Sequence, residues 1–137
     1  MSHLKQSIIR PMYSSPPLYG ARLVHQILSK PELTTMWKEE CKGMADRIHD
    51  VRSKLRTALE DLQDADNTVT DKRSWVHITD QTGMFCYSGL KVDEVLKLRE
   101  VYAIYCTDDG RFSMAGINTS NVQYLAQSIH NVLFGAK

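Results

Sequence analysis

The alternation of helical and strand periodicities along these 137 residues predicts an α/β domain with long helices packed on a small open sheet. Apolar residues recur at three- and four-residue steps in two stretches, residues 31–62 and 122–133. Between them lie four short runs rich in β-branched and aromatic residues, bounded by turn residues. The resulting order is two helices, two strands, a helix, two strands and a helix.

Ser15 before Pro16 and Pro17 predicts a helix start, because serine accepts from unpaired first-turn amides and proline tolerates that turn. This helix runs to Leu28, with Leu23, Val24, Ile27 and Leu28 on one side. Ser29-Lys30-Pro31-Glu32 reads as a capping box opening a second helix. Trp37, Cys41, Met44, Ile48, Val51, Leu55, Leu59 and Leu62 form its apolar stripe. Lys38, Glu39, Asp46, Asp50, Arg52 and Lys54 are assigned to its other faces. Running to Leu62, it would extend on the order of 45 Å, and Gly43 is a point where it can bend.

Residues 63–74 are polar and predict a solvated connection. Trp75-Val76-His77-Ile78-Thr79 and Met84-Phe85-Cys86-Tyr87 then read as two strands about the Gly83 turn. Val92, Val95, Leu96 and Leu98 resume helical spacing up to Tyr102. Ala103-Ile104-Tyr105-Cys106 and Phe112-Ser113-Met114 read as strands joined by the Asp108-Asp109-Gly110 turn. The last helix takes Asn118 or Thr119 as its cap and Gly135 as its end. Its buried stripe is Val122, Leu125, Ala126, Ile129, Val132 and Leu133.

The length suits one domain with a real core. A hydrophobic share of 42% and a charged share of 24% are those of an ordinary globular protein, and no apolar run approaches a bilayer span of about 20 residues. A net charge of +1, with basic and acidic residues interleaved, argues against nucleic-acid or membrane partners. Cys41, Cys86 and Cys106 are an odd set without paired spacing, which fits reduced thiols in the cytosol or in an organelle matrix. His77 and Cys86 do not make a zinc spacing, so no metal is expected. The N-terminal Met1-Ser2-His3-Leu4-Lys5-Gln6 carries no readable address. No nucleophile elbow and no phosphate-cradling glycine loop occurs.

Arg10, heading Arg10-Pro11-Met12-Tyr13-Ser14-Ser15-Pro16-Pro17, and Arg111, within Gly110-Arg111-Phe112-Ser113-Met114-Ala115-Gly116, stand apart from this background. Two guanidinium groups held in fixed places can grip both ends of a small dicarboxylic acid, since each offers a planar fork of donors matched to a carboxylate. By position alone, each also reads as an exposed arginine beside a loop or a hairpin.

These two blocks, with Trp75-Val76-His77-Ile78-Thr79-Asp80-Gln81-Thr82-Gly83-Met84-Phe85-Cys86-Tyr87-Ser88-Gly89-Leu90 between them, closely resemble the aspartate aminotransferase family. They occur in the family's order and span nearly the whole chain, yet they match only the C-terminal part of such an enzyme. The resemblance implies the small C-terminal domain of the large pyridoxal-phosphate aminotransferase fold. Residues 29–137 would form that domain, and residues 1–28 a loop and helix linking it to an absent cofactor domain.

The implied activity is amino transfer between aspartate or glutamate and oxaloacetate or 2-oxoglutarate, with pyridoxal 5'-phosphate as cofactor. By position, Arg111 matches the arginine that holds the substrate α-carboxylate. Arg10 matches the arginine that reaches the neighbouring subunit's site in a homodimer, where it meets the side-chain carboxylate. Phe85 matches an aromatic lining the pocket, and Ser14 a serine beside the reaching arginine. Ser15 stands where the family commonly has asparagine.

The Schiff-base lysine and the main cofactor ligands have no match in this chain. Lys54, which follows Ser53, reads as a solvated helix lysine, because a Schiff-base lysine needs desolvation or a cationic neighbour. This stretch is therefore expected to be inactive alone. A noncatalytic fragment or interaction module on the same scaffold remains an alternative, as does a related enzyme with aromatic specificity.

Overall fold

A computed structural model of the chain describes residue 8, residues 10–14 and residues 17–135. The chain divides into two compact units, the first ending at Gly43 and the second beginning at Met44.

The first unit contains α1 (Arg10–Tyr13), α2 (Tyr19–Leu28) and the opening turns of α3 (Pro31–Ala65). Ser15 and Pro16, the expected helix start, lie outside the described residues; α2 begins at Tyr19 with Leu18 in the N-cap position. Ser29 ends α2 instead of opening α3, its amide donating to the carbonyl of His25 at 2.9 Å. With only Ser29 and Lys30 between the helices, Ser29 is still inside the closing turn of α2. The corner is held by the hydroxyl of Thr34, which lies 2.9 Å from the Ile27 carbonyl and 3.1 Å from that of Lys30. No residue of α2 is buried: Leu23, Val24 and Leu28 are all exposed.

The second unit adds α4 (Val76–Asp80), β1 (Phe85–Tyr87), α5 (Val92–Tyr102), β2 (Arg111–Ser113), a 3-10 turn (Met114–Gly116) and α6 (Val122–Phe134). β1 and β2 pair antiparallel, with Phe85 opposite Ser113, Cys86 opposite Phe112 and Tyr87 opposite Arg111. The fold is thus α/β, mostly helical, with a small two-stranded sheet. One face of the ribbon turns Cys86 into a core made with Val51, Leu55 and Leu59 of α3, Val95 and Leu98 of α5, and Val122, Leu125, Ala126 and Ile129 of α6. The apolar stripe of α6 falls where the periodicity puts it, with Val132 and Leu133 packed at the edge, whereas in α5 only Val95 and Leu98 of the expected stripe are buried and Val92 and Leu96 are exposed.

Three sequence expectations are corrected here. Trp75–Thr79 is not a strand: Val76–Asp80 is helical, with Trp75 and Ile78 buried three residues apart and Val76 exposed. The β-branched content misleads because propensity is overridden by which residues the core accepts. Residues 103–106 form no strand either. Ala103 adopts the left-handed conformation at φ 52°, and the amides of Ala103 and Ile104 both turn back to the Leu98 carbonyl to close α5. The Asp108-Asp109-Gly110 turn does form, with Gly110 N–H donating to Thr107 C=O at 2.8 Å, but pairing ends at the Thr107 amide, 3.0 Å from the Arg111 carbonyl. The partner of β2 is β1 instead.

Arg52 is the third correction. It is not on a solvated face but 1% exposed. The connection after α3 is also less open than its polarity suggests, for Gln63 is buried and clasps Arg73, its Nε2 donating to the carbonyl at 3.0 Å and its Oε1 accepting from the amide at 3.2 Å. Asp66 reaches Nε2 of buried His130 at 3.0 Å. The hydroxyl and amide of Thr68 donate to Asp66 and, with His130, hold its carboxyl below the usual range.

Candidate functional site

Alternation in a strand sends neighbouring side chains to opposite faces. With Cys86 in the core, Phe85 and Tyr87 must point outward, and they are 58% and 50% exposed. Their cross-strand partners Ser113 and Arg111 share that outward face. Phe85 and Arg111 line one shallow groove of about 310 Å³, together with Tyr105, Thr107 and Ser113. Phe85 is therefore a surface aromatic beside a guanidinium.

Arg111 is placed by the turn before it. Gly110 sits at φ +79°, and a Cβ there would lie 2.9 Å from Ser88 Oγ and 3.1 Å from the Leu90 carbonyl oxygen. Ser88 is buried; its hydroxyl donates to the Gly110 carbonyl at 2.6 Å and accepts from the Leu90 amide at 3.2 Å, while its amide also donates to the Gly110 carbonyl at 3.0 Å. The loop leaving β1 is thereby latched to the turn entering β2. Neither Ser88 nor Arg52 was picked out as functional from the sequence.

Arg111 Nε meets Asp109 Oδ2 at 3.1 Å, with 62% and 54% of the two side chains exposed. Solvent screens such an exposed pair, so it contributes little to stability. The Asp109 carboxyl is held below its usual range first by the Thr107 hydroxyl, which donates to it at 2.5 Å, and then by the Arg111 charge and backbone amides. An acidic neighbour this exposed can be displaced by another carboxylate.

Arg10 and Ser14 belong to the first unit. Arg10 opens α1 and is exposed; Ser14 follows α1 at φ 55°, with its amide donating to the Arg10 carbonyl at 3.0 Å. The α1 turn thus fixes Ser14 directly against the Arg10 backbone.

Every lysine among the described residues is exposed, and Lys54 is ion-paired to Asp50 at 2.6 Å with 45% of its side chain in solvent. That solvated, ion-paired setting offers neither the desolvation nor the cationic neighbour that activates a Schiff-base amine. Among the described residues no group of three or more His, Cys, Asp or Glu could hold a metal ion, and no helix is long and apolar enough to cross a membrane.

Burial pushes the thiols of Cys86 and Cys106 up from their usual range, with the nearby arginines opposing this only in part. Both should resist labelling by a disulfide reagent at neutral pH in the folded protein and react on addition of denaturant. A labelling time course checks this, and prompt modification of Cys86 under native conditions would contradict it.

The chain matches the family model of aminotransferase class I and II over residues 2–129. It belongs to that family. The match to this aminotransferase family is close in sequence and in shape. The mitochondrial aspartate aminotransferase of Arabidopsis thaliana is 52% identical over 127 residues, covering 93% of this chain and 28% of that protein. A mitochondrial aspartate aminotransferase from Trypanosoma brucei superposes with a TM-score of 0.83 at 44% identity, over 96% of this chain and 32% of the other. The aromatic-amino-acid aminotransferase of Burkholderia pseudomallei, solved covalently bound to pyridoxal phosphate, gives a TM-score of 0.84 at 38% identity, over 96% of this chain and 31% of the other. The chain therefore spans under a third of the length of these aminotransferases.

Proposed function

We propose that this chain is the carboxylate-gripping C-terminal part of an aspartate aminotransferase. The reading rests on one observation above all: Phe85 and Arg111 stand together on the exposed face of the β1–β2 ribbon and line one shallow groove. Arg111 takes the substrate α-carboxylate. Its bond to Asp109 uses Nε, so a carboxylate approaching the Nη1–Nη2 end of the fork need not displace that partner. Phe85 bounds the pocket with an apolar surface.

Arg10, with Ser14 beside it, serves the neighbouring subunit's site in a homodimer and meets the side-chain carboxylate of aspartate or glutamate. Two cations then fix a diacid at both ends and orient its Cα–H bond. Residues 1–28 link to a cofactor domain and residues 29–137 form the small domain. Pyridoxal phosphate, when bound, supplies the electron sink for amino transfer; the residues that hold it lie outside this chain, consistent with the exposure of every described lysine. The three free cysteines suit a reducing compartment such as the cytosol or the mitochondrial matrix.

The test is direct. The purified chain is incubated with pyridoxal phosphate, dialysed and assayed for a retained chromophore and for amino transfer from aspartate. Both are expected to be missing for the chain alone and to appear when it is joined to the upstream part. Transfer by the chain alone would overturn the division of labour. Absence of transfer after joining would favour a noncatalytic module.

A further inference from the structure

We propose that Arg52 is a positioning residue for substrate binding: its buried guanidinium sets β1, and through β1 the placement of Phe85 and Arg111. The inference rests on the proposed role of Arg111 and adds to it a residue that never touches substrate.

Arg52 lies midway along α3 and is 1% exposed. Its Nη1 donates to the Ile78 carbonyl at 2.7 Å, and its Nη2 donates to the Gly83 carbonyl at 3.0 Å and the Phe85 carbonyl at 2.7 Å. These acceptors belong to three successive pieces of chain: α4, the turn at Gly83, and β1 itself. A planar guanidinium fork, with its donors in a fixed geometry, bridges all three at once.

Stability alone is a poor reason for this arrangement. Burying a charge carries a desolvation cost, and Arg52 Nε is buried without a partner. A methionine or leucine would fill similar space with no orphaned donor, while taking away the donor of the Ile78, Gly83 and Phe85 carbonyls. What the arginine adds is geometry.

That geometry matters because the ribbon is minimal. β1 and β2 have three residues each and, among the described residues, pair only with one another, and an isolated two-stranded ribbon is marginal by itself. The position of the Phe85 backbone therefore depends on what anchors it from below. The register carries any shift across, since Phe85 faces Ser113 and Tyr87 faces Arg111. A displaced β1 moves the aromatic wall and the guanidinium together.

The experiment uses the complete enzyme, with Arg52→Met to fill the volume, Arg52→Lys to keep the charge, and Arg111→Ala as reference. Both Arg52 variants are expected to raise KM for aspartate about 10- to 100-fold, the scale of an ångström-sized misplacement, with kcat and cofactor absorbance largely kept. A residue needed only for folding would lower the yield and melting temperature of the enzyme while leaving the KM of the surviving fraction as in wild type, and that outcome overturns the proposal. Should neither Arg52 variant fold, Gly83→Ala decides. Gly83 is at φ +90° with open space where a Cβ would sit, so that change strains only the turn the guanidinium holds. A raised KM there supports the proposal; a wild-type KM rejects it. If Arg111→Ala itself left KM unchanged, the role of Arg111 would fail first, a result separable from normal Arg52 kinetics beside an impaired Arg111 variant.

Discussion

Arg111→Ala in the complete enzyme is expected to lower kcat/KM for aspartate and glutamate by about 2–5 kcal/mol, roughly thirty- to several-thousand-fold, the range for removing one partner of a desolvated charge pair. The loss should extend to every amino-acid substrate, because all of them carry an α-carboxylate. Arg10→Ala should instead harm dicarboxylic substrates selectively and leave phenylalanine nearly untouched. Steady-state kinetics with aspartate and phenylalanine separates the two roles. Equal losses for both substrates in the Arg10 variant would remove the assignment. The Arg111–Asp109 pair is too exposed to account for such effects.

Trp75→Ala should cost about 3–5 kcal/mol of folding stability. Trp75 is 1% exposed and sits in the core cluster with Ile78, Leu55 and Leu59, and the Arg73 guanidinium lies over its ring at 5.2 Å. A loss of that size is a large part of the 5–15 kcal/mol typical of a whole domain. Trp75→Phe should be far milder. The Nε1 of Trp75 is buried with no hydrogen-bond partner among the described residues, so phenylalanine gives up volume but also removes an unmet donor. Urea unfolding followed by circular dichroism gives both values, and a tryptophan-to-alanine change costing under about 1 kcal/mol would mean the core tolerates the void.

The helices were readable from the sequence wherever an apolar stripe had a core to meet. In α6, Val122, Leu125, Ala126 and Ile129 are all buried as spacing predicts. In α2 the same kind of stripe finds no burial, with Leu23 and Val24 about half exposed; periodicity identifies a face but not what covers it. Short elements were harder. Trp75–Thr79 has strand composition, and only the three-residue step between Trp75 and Ile78 betrayed its helix. The run 103–106 has strand composition too, but its first amides are used up in closing α5.

For the site, the arginines and Phe85 came from a resemblance, since nothing in the periodicity distinguishes Arg111 from any hairpin arginine. Arg52 was the reverse case. Its signal was present in plain spacing, for Ile48, Arg52, Leu55 and Leu59 continue one helical stripe, and a charged residue on that stripe was assigned outward by type when its position pointed inward.

The bend ahead of Arg111 leaves less vacant volume than a methyl group needs, and the hydroxyl that bounds it is already committed to two neighbours. Charges near the guanidinium can be retuned by many routes. The corner that places it is closed to any side chain, so the setting of Arg111 depends on a hydrogen atom at position 110.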